Sequence, residues 1–265
     1  MNSNNTVSLS ALFQAAEDDG ALSPAARAVL DVPDLGAQIQ AGLGVKVDDV
    51  ESSEVVLVTI MPDDSGSIRF AGNTAAVRDG HNTVLDALSA SKQRDSILSH
   101  TRYLNGFVLH PYCLVSASKR MNDRNYNPSL GTPLYDQTVV LLGTVLAKTQ
   151  ELAGAGVPVR SVTLLITDGA DESSQRARAA DVRAVVRDLL ASEAHIVAAM
   201  GIDDGHTKFR EVFRSMGIED RWILTPKSDA GDIRRAFLLF SQSAVRASQV
   251  GGSFSRAAAG GFTSP

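Results

Sequence analysis

The sequence predicts an α/β fold: a doubly wound, mostly parallel six-stranded sheet with helices on both faces and one antiparallel edge strand. Apolar runs alternate along the chain with helical stretches, which implies right-handed crossovers between parallel strands. The segment Val55–Met61 is almost entirely apolar, as expected of a strand that is buried on both faces. The dipeptide Asn105-Gly106 separates two apolar-rich runs, which predicts a hairpin whose second strand supplies the antiparallel edge.

The other elements follow from periodicity and capping signals. Ser23 before Pro24, and Asp34 after Pro33, are predicted to cap two helices in the first 50 residues. Beyond the first strand, apolar runs predict strands over residues 97–104, 107–115, 162–167, 196–202 and 222–225. Apolar spacing predicts helices over residues 83–88, 134–152, 174–192, 206–216 and 232–245. Residues 116–130 are polar and aperiodic, which predicts a long loop.

This pattern divides the chain into three parts. Residues 1–50 form a helical segment that is expected to pack on the main α/β domain, residues 51–247, and residues 248–265 form a flexible tail rich in Gly, Ala and Ser. The tail contains Phe254 and Phe262 in a near-repeat. They are either incidental to a disordered terminus or anchors for self-association or for an assembly partner. Under both interpretations, deletion after Ser248 is expected to leave the melting temperature unchanged.

Composition is that of an ordinary globular protein. The chain has 265 residues, of which 44% are hydrophobic and 21% charged, and a net charge of −5. No basic stripe is present, so nucleic acid is not an expected partner. The sequence shows neither a signal peptide nor an apolar run of membrane-spanning length, which favours a cytoplasmic location in a bacterial-type cell. The single cysteine, Cys113, cannot form an internal disulfide and is expected to be a small buried residue.

Small oxygen-bearing side chains follow the first strand directly. Asp63, Ser65 and Ser67 occur at a spacing of two, immediately after the apolar run. Open α/β sheets bind their ligands at this carboxyl end of the strands. A carboxylate and two hydroxyl groups on one tight turn are ligands that suit a small hard cation such as Mg²⁺.

The pattern Asp-x-Ser-x-Ser resembles the metal-ion-dependent adhesion site of von Willebrand factor A domains. Two further segments match in the order found in that family: Gly131–Asp136, which contains Thr132, and a second apolar strand that ends in Thr167-Asp168-Gly169. The resemblance covers roughly residues 51–247 and implies the fold described above, with its single antiparallel edge strand.

The resemblance also implies a ligand set. Ser65, Ser67 and Thr132 would offer hydroxyl oxygens directly to Mg²⁺ or Mn²⁺, whereas Asp63 and Asp168 would act mainly through ordered water or would switch to direct contact. Few direct anionic ligands leave the cation electron-poor, so an open coordination position attracts an Asp or Glu of another protein. The implied function is a non-catalytic, Mg²⁺-dependent protein-interaction module in an intracellular bacterial assembly, in some relatives beside a partner ATPase.

Each of these residues also has a purely structural interpretation. Ser65 and Ser67 could cap the next helix, Thr132 before Pro133 could be an N-cap, and Asp168 could belong to a turn. Capping and metal binding are compatible, because helix N-termini at strand ends point into the same crevice.

The enzymatic alternative is a Mg²⁺-dependent phosphohydrolase of the haloacid dehalogenase type. Such an enzyme needs a nucleophilic Asp and a second Asp two residues later. The residue two positions after Asp63 is Ser65, which argues against covalent phosphoryl transfer. The sequence also lacks a phosphate-binding Gly-x-x-x-x-Gly-Lys loop and a Gly-x-Ser-x-Gly turn.

Residues 116–130 lead directly into Thr132 and are therefore expected to lie at the rim of the metal site. Arg120, Arg124 and Tyr126 are the predicted partner contacts, because Arg and Tyr are enriched at interface hot spots. The alternative is a mobile solvated loop.

Overall fold

A six-stranded sheet forms the centre of the molecule, whose computed structural model describes residues 8–249 and 261–263. The strands are β1 (Val55–Met61), β2 (Ile97–Arg102), β3 (Val108–Leu114), β4 (Val159–Thr167), β5 (His195–Gly201) and β6 (Ile223–Leu224). They lie in the order β3-β2-β1-β4-β5-β6, and all neighbours are parallel except β2 and β3. The predicted sheet with one antiparallel edge strand is confirmed.

Helices cover both faces of this sheet. They are α1 (Leu9–Asp18), α2 (Pro24–Leu30), α3 (Pro33–Leu43), α4 (Gly66–Phe70), α5 (Thr74–Ser89), α6 (Leu134–Gly154), α7 (Ala179–Ala191), α8 (Phe209–Ser215) and α9 (Ala230–Gln249). Strands β1 and β5 are buried along their whole lengths, as two covered faces require. In the described part of the chain, no helix combines the length and apolar character that a membrane span needs.

The helical caps follow the sequence in one case and depart from it in another. Ser23 caps α2 as predicted, and its hydroxyl oxygen accepts a hydrogen bond from the backbone of Ala26. The predicted cap at Asp34 is wrong, because α3 begins with Pro33 at its first position and Val32 occupies the cap. Asp34 lies instead in the first turn of α3, where its negative charge interacts favourably with the positive end of the helix dipole.

Helix α7 begins at Ala179, later than the predicted residue 174. The backbone N–H groups of residues 175–177 donate to the carboxylate of Asp136, with N···O distances of 2.9, 3.1 and 2.7 Å. Residues 175–177 therefore surround the carboxylate of Asp136 in a non-helical conformation, and the helix begins two residues later. This contact ties the loop after β4 to the first turn of α6.

The N-terminal helices share the core of the α/β domain. Helices α1 to α3 pack against α6 and α7, and Phe13, Leu30 and Ile39 are buried in the same apolar cluster as the sheet residues. Gly143 of α6 permits this close approach: a Cβ atom added there would lie 2.8 Å from Cδ1 of Ile39 and 3.0 Å from Cδ2 of Leu30. A larger residue at this position would push α3 away from α6.

Two described segments of the C-terminal part, the end of α9 and residues 261–263, depart from the prediction. Helix α9 runs to Gln249, past the predicted end. Phe262 is 6% exposed, meets the ring of Trp222 edge-on at a centroid distance of 5.2 Å, and lies 6.4 Å from the ring of Phe240. The prediction of a flexible tail is therefore wrong for these segments, because the apolar ring is buried by its own chain. Phe254 lies outside the described residues.

Candidate metal centre

The predicted metal-site segments meet at the carboxyl edge of the sheet. Asp63, Ser65 and Ser67 follow β1, Asp168 follows β4, and Thr132 precedes α6. Because β1 and β4 are parallel neighbours, their ends lie side by side. Ser65, Ser67, Thr132 and Asp168 line one cleft of about 520 Å³, and Asp63 lies fully buried behind its wall.

Three of the side chains form a continuous chain of oxygen atoms. The hydroxyl oxygens of Ser65 and Ser67 are 2.8 Å apart, and the hydroxyl of Ser67 donates to Oδ1 of Asp168 at 2.6 Å. Ser65 occupies the N-cap position of α4, but its side chain makes no capping bond. The capping interpretation is thus wrong for Ser65, whose hydroxyl group is directed towards the other candidate ligands instead.

Thr132 is held by its backbone. Its N–H donates to the hydroxyl of Ser173, and its carbonyl oxygen accepts hydrogen bonds from the N–H groups of Glu172 and Ser173. The predicted N-cap at Thr132 is wrong, because Pro133 occupies that position and α6 begins at Leu134. The Thr132 hydroxyl therefore lines the cleft, 3.8 Å from where a Cβ atom on Gly169 would lie.

Asp63 supports the turn from beneath the cleft. Oδ1 accepts a hydrogen bond from the backbone N–H of Ser65, and Oδ2 accepts one from the hydroxyl of Thr167, both at 2.7 Å. Burial raises the pKa of Asp63 to about 6, against the lowering effect of these two donors. Both oxygens are engaged and remote from solvent, so Asp63 positions Ser65 and adds negative charge rather than offering a free ligand.

A second carboxylate, Asp64, fixes the hairpin to the same edge. Both the backbone N–H and the side-chain amide of Asn105 donate to Oδ1 of Asp64, at 3.0 and 2.8 Å, and the amide also donates to the carbonyl of Gly131. Gly106, the second residue of the turn, has a positive φ of 92°, which glycine adopts readily. Asn105 links the hairpin to the loops of the cleft.

The structure separates the three predicted partner contacts. Tyr126 is 2% exposed, its hydroxyl donates to the carbonyl of Asp63 at 2.5 Å, and its ring packs against Tyr103. Its prediction as a partner contact is therefore wrong; it supports the metal-site turn instead. Arg120 forms an ion pair with Asp86 of α5, and Arg124 is exposed.

Sequence reasoning placed Glu172 near the rim of the site but missed Asp203 and Asp204, which complete an acidic wall of the cleft. Glu172, Asp203 and Asp204 line it beside Asp168, and all three are exposed. Burial raises the pKa of Asp168, and the charge of Asp204 adds to the same effect. The available signal was the polar segment directly after β5, which obeys the same strand-end rule as the segments after β1 and β4.

The donor chemistry fits a hard divalent cation. Ser65, Ser67, Thr132 and Asp168 present only oxygen atoms, three of them neutral, and Mg²⁺ prefers oxygen ligands. Within residues 8–249 and 261–263, no group of three or more His, Cys, Asp and Glu side chains is arranged to hold a metal. A cation at this edge would therefore depend on the hydroxyl groups.

Comparison with known proteins gives the fold. No protein-family model and no curated protein sequence matches the chain. Among solved structures, the pilus adhesin SpaC from Lactobacillus rhamnosus GG superposes with a TM-score of 0.52 and 13% identity, over 74% of this chain and 30% of SpaC. Proximal thread matrix protein 1 from the mussel byssus gives a TM-score of 0.50 and 16% identity, over 72% of this chain and 46% of its own.

The chain shares its α/β fold with these two proteins. It spans less than half the length of either similar protein. At these identities the similarity concerns the fold alone. The metal-site interpretation therefore depends on the geometry of the chain's own residues.

Proposed function

We propose that the chain is a non-catalytic protein-interaction module that binds Mg²⁺ or Mn²⁺ and recognises an Asp or Glu of a partner protein. The supporting observation is the chain of oxygen atoms from Ser65 through Ser67 to Asp168 in an open cleft. The Ser65 hydroxyl makes no helix-capping bond and is bonded within this chain of oxygen atoms instead.

Each residue has a distinct part in this proposal. A bound divalent cation would supply positive charge and an open coordination position for the partner carboxylate. Ser65, Ser67 and Thr132 would hold it with neutral oxygens, so that its charge stays largely uncompensated. Asp168 would lose its hydrogen bond from Ser67 and accept the cation or its water, while Asp63 keeps Ser65 in place.

The proposal excludes phosphoryl transfer through Asp63. A nucleophilic carboxylate must reach its substrate, but Asp63 is fully buried and both of its oxygens accept hydrogen bonds. We expect hydrolysis of p-nitrophenyl phosphate in Mg²⁺ to stay at the background rate. The cellular setting proposed from the family resemblance is an intracellular bacterial assembly, in which a partner ATPase is one candidate; co-purification with and without a chelator would test it.

Calorimetric titration with Mg²⁺ and Mn²⁺ tests the metal site. The variant Ser67→Ala, which interrupts the oxygen chain, should bind either cation roughly tenfold or more weakly than the unmodified protein. The control is Ser228→Ala, because Ser228 lines the same cleft but bonds to Asn73 outside the oxygen chain. Equal affinity of the protein and Ser67→Ala for the cations would contradict the proposal.

A further inference from the structure

Two large apolar side chains are exposed to solvent at one side of the metal-site cleft: Leu130 lines the cleft, and Phe70 lies beside Gly66, which also lines it. Phe70 is 82% exposed and Leu130 is 56% exposed. Large exposed apolar groups that adjoin a polar cleft are typical of interaction surfaces. The described part of the chain leaves both of these groups uncovered.

Phe70 lies next to the cleft, beside the lining residue Gly66. The helix starts directly after Ser65, and Phe70 lies four residues after Gly66, on the same helix face. A Cβ atom added to Gly66 would lie 3.3 Å from Cε2 of Phe70. The guanidinium of Arg69 lies 5.1 Å from the centre of the Phe70 ring, so this wall also carries a positive charge.

Leu130 reaches the same place from the loop before α6. Its carbonyl oxygen accepts a hydrogen bond from the N–H of Gly66, and its own N–H donates to the carbonyl of Asp64. The backbone is thus fixed while the side chain remains in solvent. Phe70 and Leu130 consequently flank the same residue, Gly66, beside the hydroxyl groups of the site.

The opposite wall has the opposite character. Glu172 belongs to the loop after β4, and Asp203 and Asp204 belong to the loop after β5. Strands β4 and β5 lie to one side of β1, so these acids belong to the β4–β5 side of the cleft, whereas α4 follows β1. A partner carboxylate would therefore meet apolar groups and the positive charge of Arg69 on the α4 side, whereas the acids on the other side would repel it.

We infer that Phe70 and Leu130 form an apolar subsite, the apolar rim, for a partner segment in which a large apolar side chain accompanies the acidic residue. This inference rests on the proposed function, because the carboxylate is taken to bind at the metal site. The apolar rim would select among the many exposed acids of other proteins, which a metal site alone distinguishes poorly. Burial of the two side chains on binding would also add affinity.

The probe is a phage-displayed library of random dodecapeptides, selected on the full chain in Mg²⁺ and eluted with a chelator. The expected result is enrichment of peptides that carry Asp or Glu beside Leu, Ile, Phe or Trp. The double variant Phe70→Ser, Leu130→Ser should bind an enriched peptide at least tenfold more weakly and keep its calorimetric Mg²⁺ affinity. The matched control is Leu238→Ser, Leu239→Ser, which removes two exposed apolar side chains from α9.

The alternative outcomes distinguish the two proposals. Chelator-sensitive peptides with an acid but no apolar preference, or unchanged binding by the double variant, would overturn the apolar rim and leave the metal-dependent interaction intact. Apolar peptides that bind equally well with chelator, or no chelator-sensitive enrichment at all, would overturn both. A loss of binding that the α9 control variant shares would also contradict a specific role of Phe70 and Leu130.

Discussion

At the scale of single residues, the candidate site depends on groups that bind no ligand themselves. The hydroxyl of Thr167 donates to Asp63 and also accepts a hydrogen bond from the N–H of Gly169. It thereby joins the turn after β1 to the turn after β4. Removing a donor from a buried carboxylate costs more than an average hydrogen bond, because the acceptor is left without compensation.

The variant Thr167→Val removes this hydroxyl with little change in volume. We expect a loss of about 1–3 kcal/mol in the free energy of unfolding and weaker Mg²⁺ binding. The control is Thr149→Val in α6, because the Thr149 hydroxyl is buried without a hydrogen-bond partner among the described residues. Urea unfolding gives the free energy of unfolding of both variants. Equal losses of stability in Thr167→Val and Thr149→Val would show that the Thr167 contacts contribute nothing specific.

Part of the site could be predicted from sequence and part could not. Ser67 and Asp168 follow apolar strands, so the strand-end rule brings them together without knowledge of side-chain geometry. Tyr126 and Asn105 bond to the same turn from segments distant in sequence. Polar residues in aperiodic loops carry no signal of their long-range partners, which is why Tyr126 was assigned to a partner instead of the interior.

At the scale of elements, the sequence is informative where apolar spacing is regular. Every predicted strand has a counterpart in the sheet, because a strand that is buried on both faces is apolar along its length. Helix ends were predicted less well, since the start of α7 is determined by hydrogen bonds to Asp136, about 40 residues away in the chain. The single turn at residues 261–263 is too short for any periodic signal.

The buried turn at residues 261–263 predicts that the tail contributes to stability, whereas the composition of the tail predicts an unchanged melting temperature when it is deleted. Phe262→Ala should lower the free energy of unfolding by about 2–4 kcal/mol, because the buried ring contacts Trp222 and Phe240. Phe70→Ala, the same change at an exposed position, should have an effect near zero. The melting temperatures of the two variants, measured by thermal unfolding, test this difference. An unchanged melting temperature for Phe262→Ala would restore the interpretation of a tail that contributes no stability.

At the scale of the whole molecule, burial of four histidines couples stability to pH. Burial lowers the pKa of His81 and His100 to about 3, and that of His110 and His195 to about 4. In the unfolded chain each titrates near pH 6.5. Below that pH the unfolded state binds more protons than the folded state, so each histidine removes up to about 1.4 kcal/mol of stability per pH unit.

Asp63 opposes this trend but does not reverse it. Its folded pKa of about 6 lies above the unfolded value, so its protonation favours the folded state as the pH falls. Burial also raises the pKa of Asp64 and Asp168, which act in the same direction, but the four histidines outweigh these three aspartates. We therefore expect a lower urea midpoint at pH 5 than at pH 7.5, and a smaller difference in His195→Gln than in the exposed control His206→Gln. Equal midpoints at the two pH values would contradict the buried neutral histidines.

The central claim is that the oxygen atoms of Ser65, Ser67, Thr132 and Asp168 hold a divalent cation. Anomalous diffraction from crystals grown with Mn²⁺ tests it most directly, because the signal locates the ion without reference to binding stoichiometry. The account predicts one strong peak about 2 Å from the hydroxyl oxygens of Ser65 and Ser67, absent in the variant Ser67→Ala. A map without a peak at this position, or with Mn²⁺ bound only elsewhere, would contradict it.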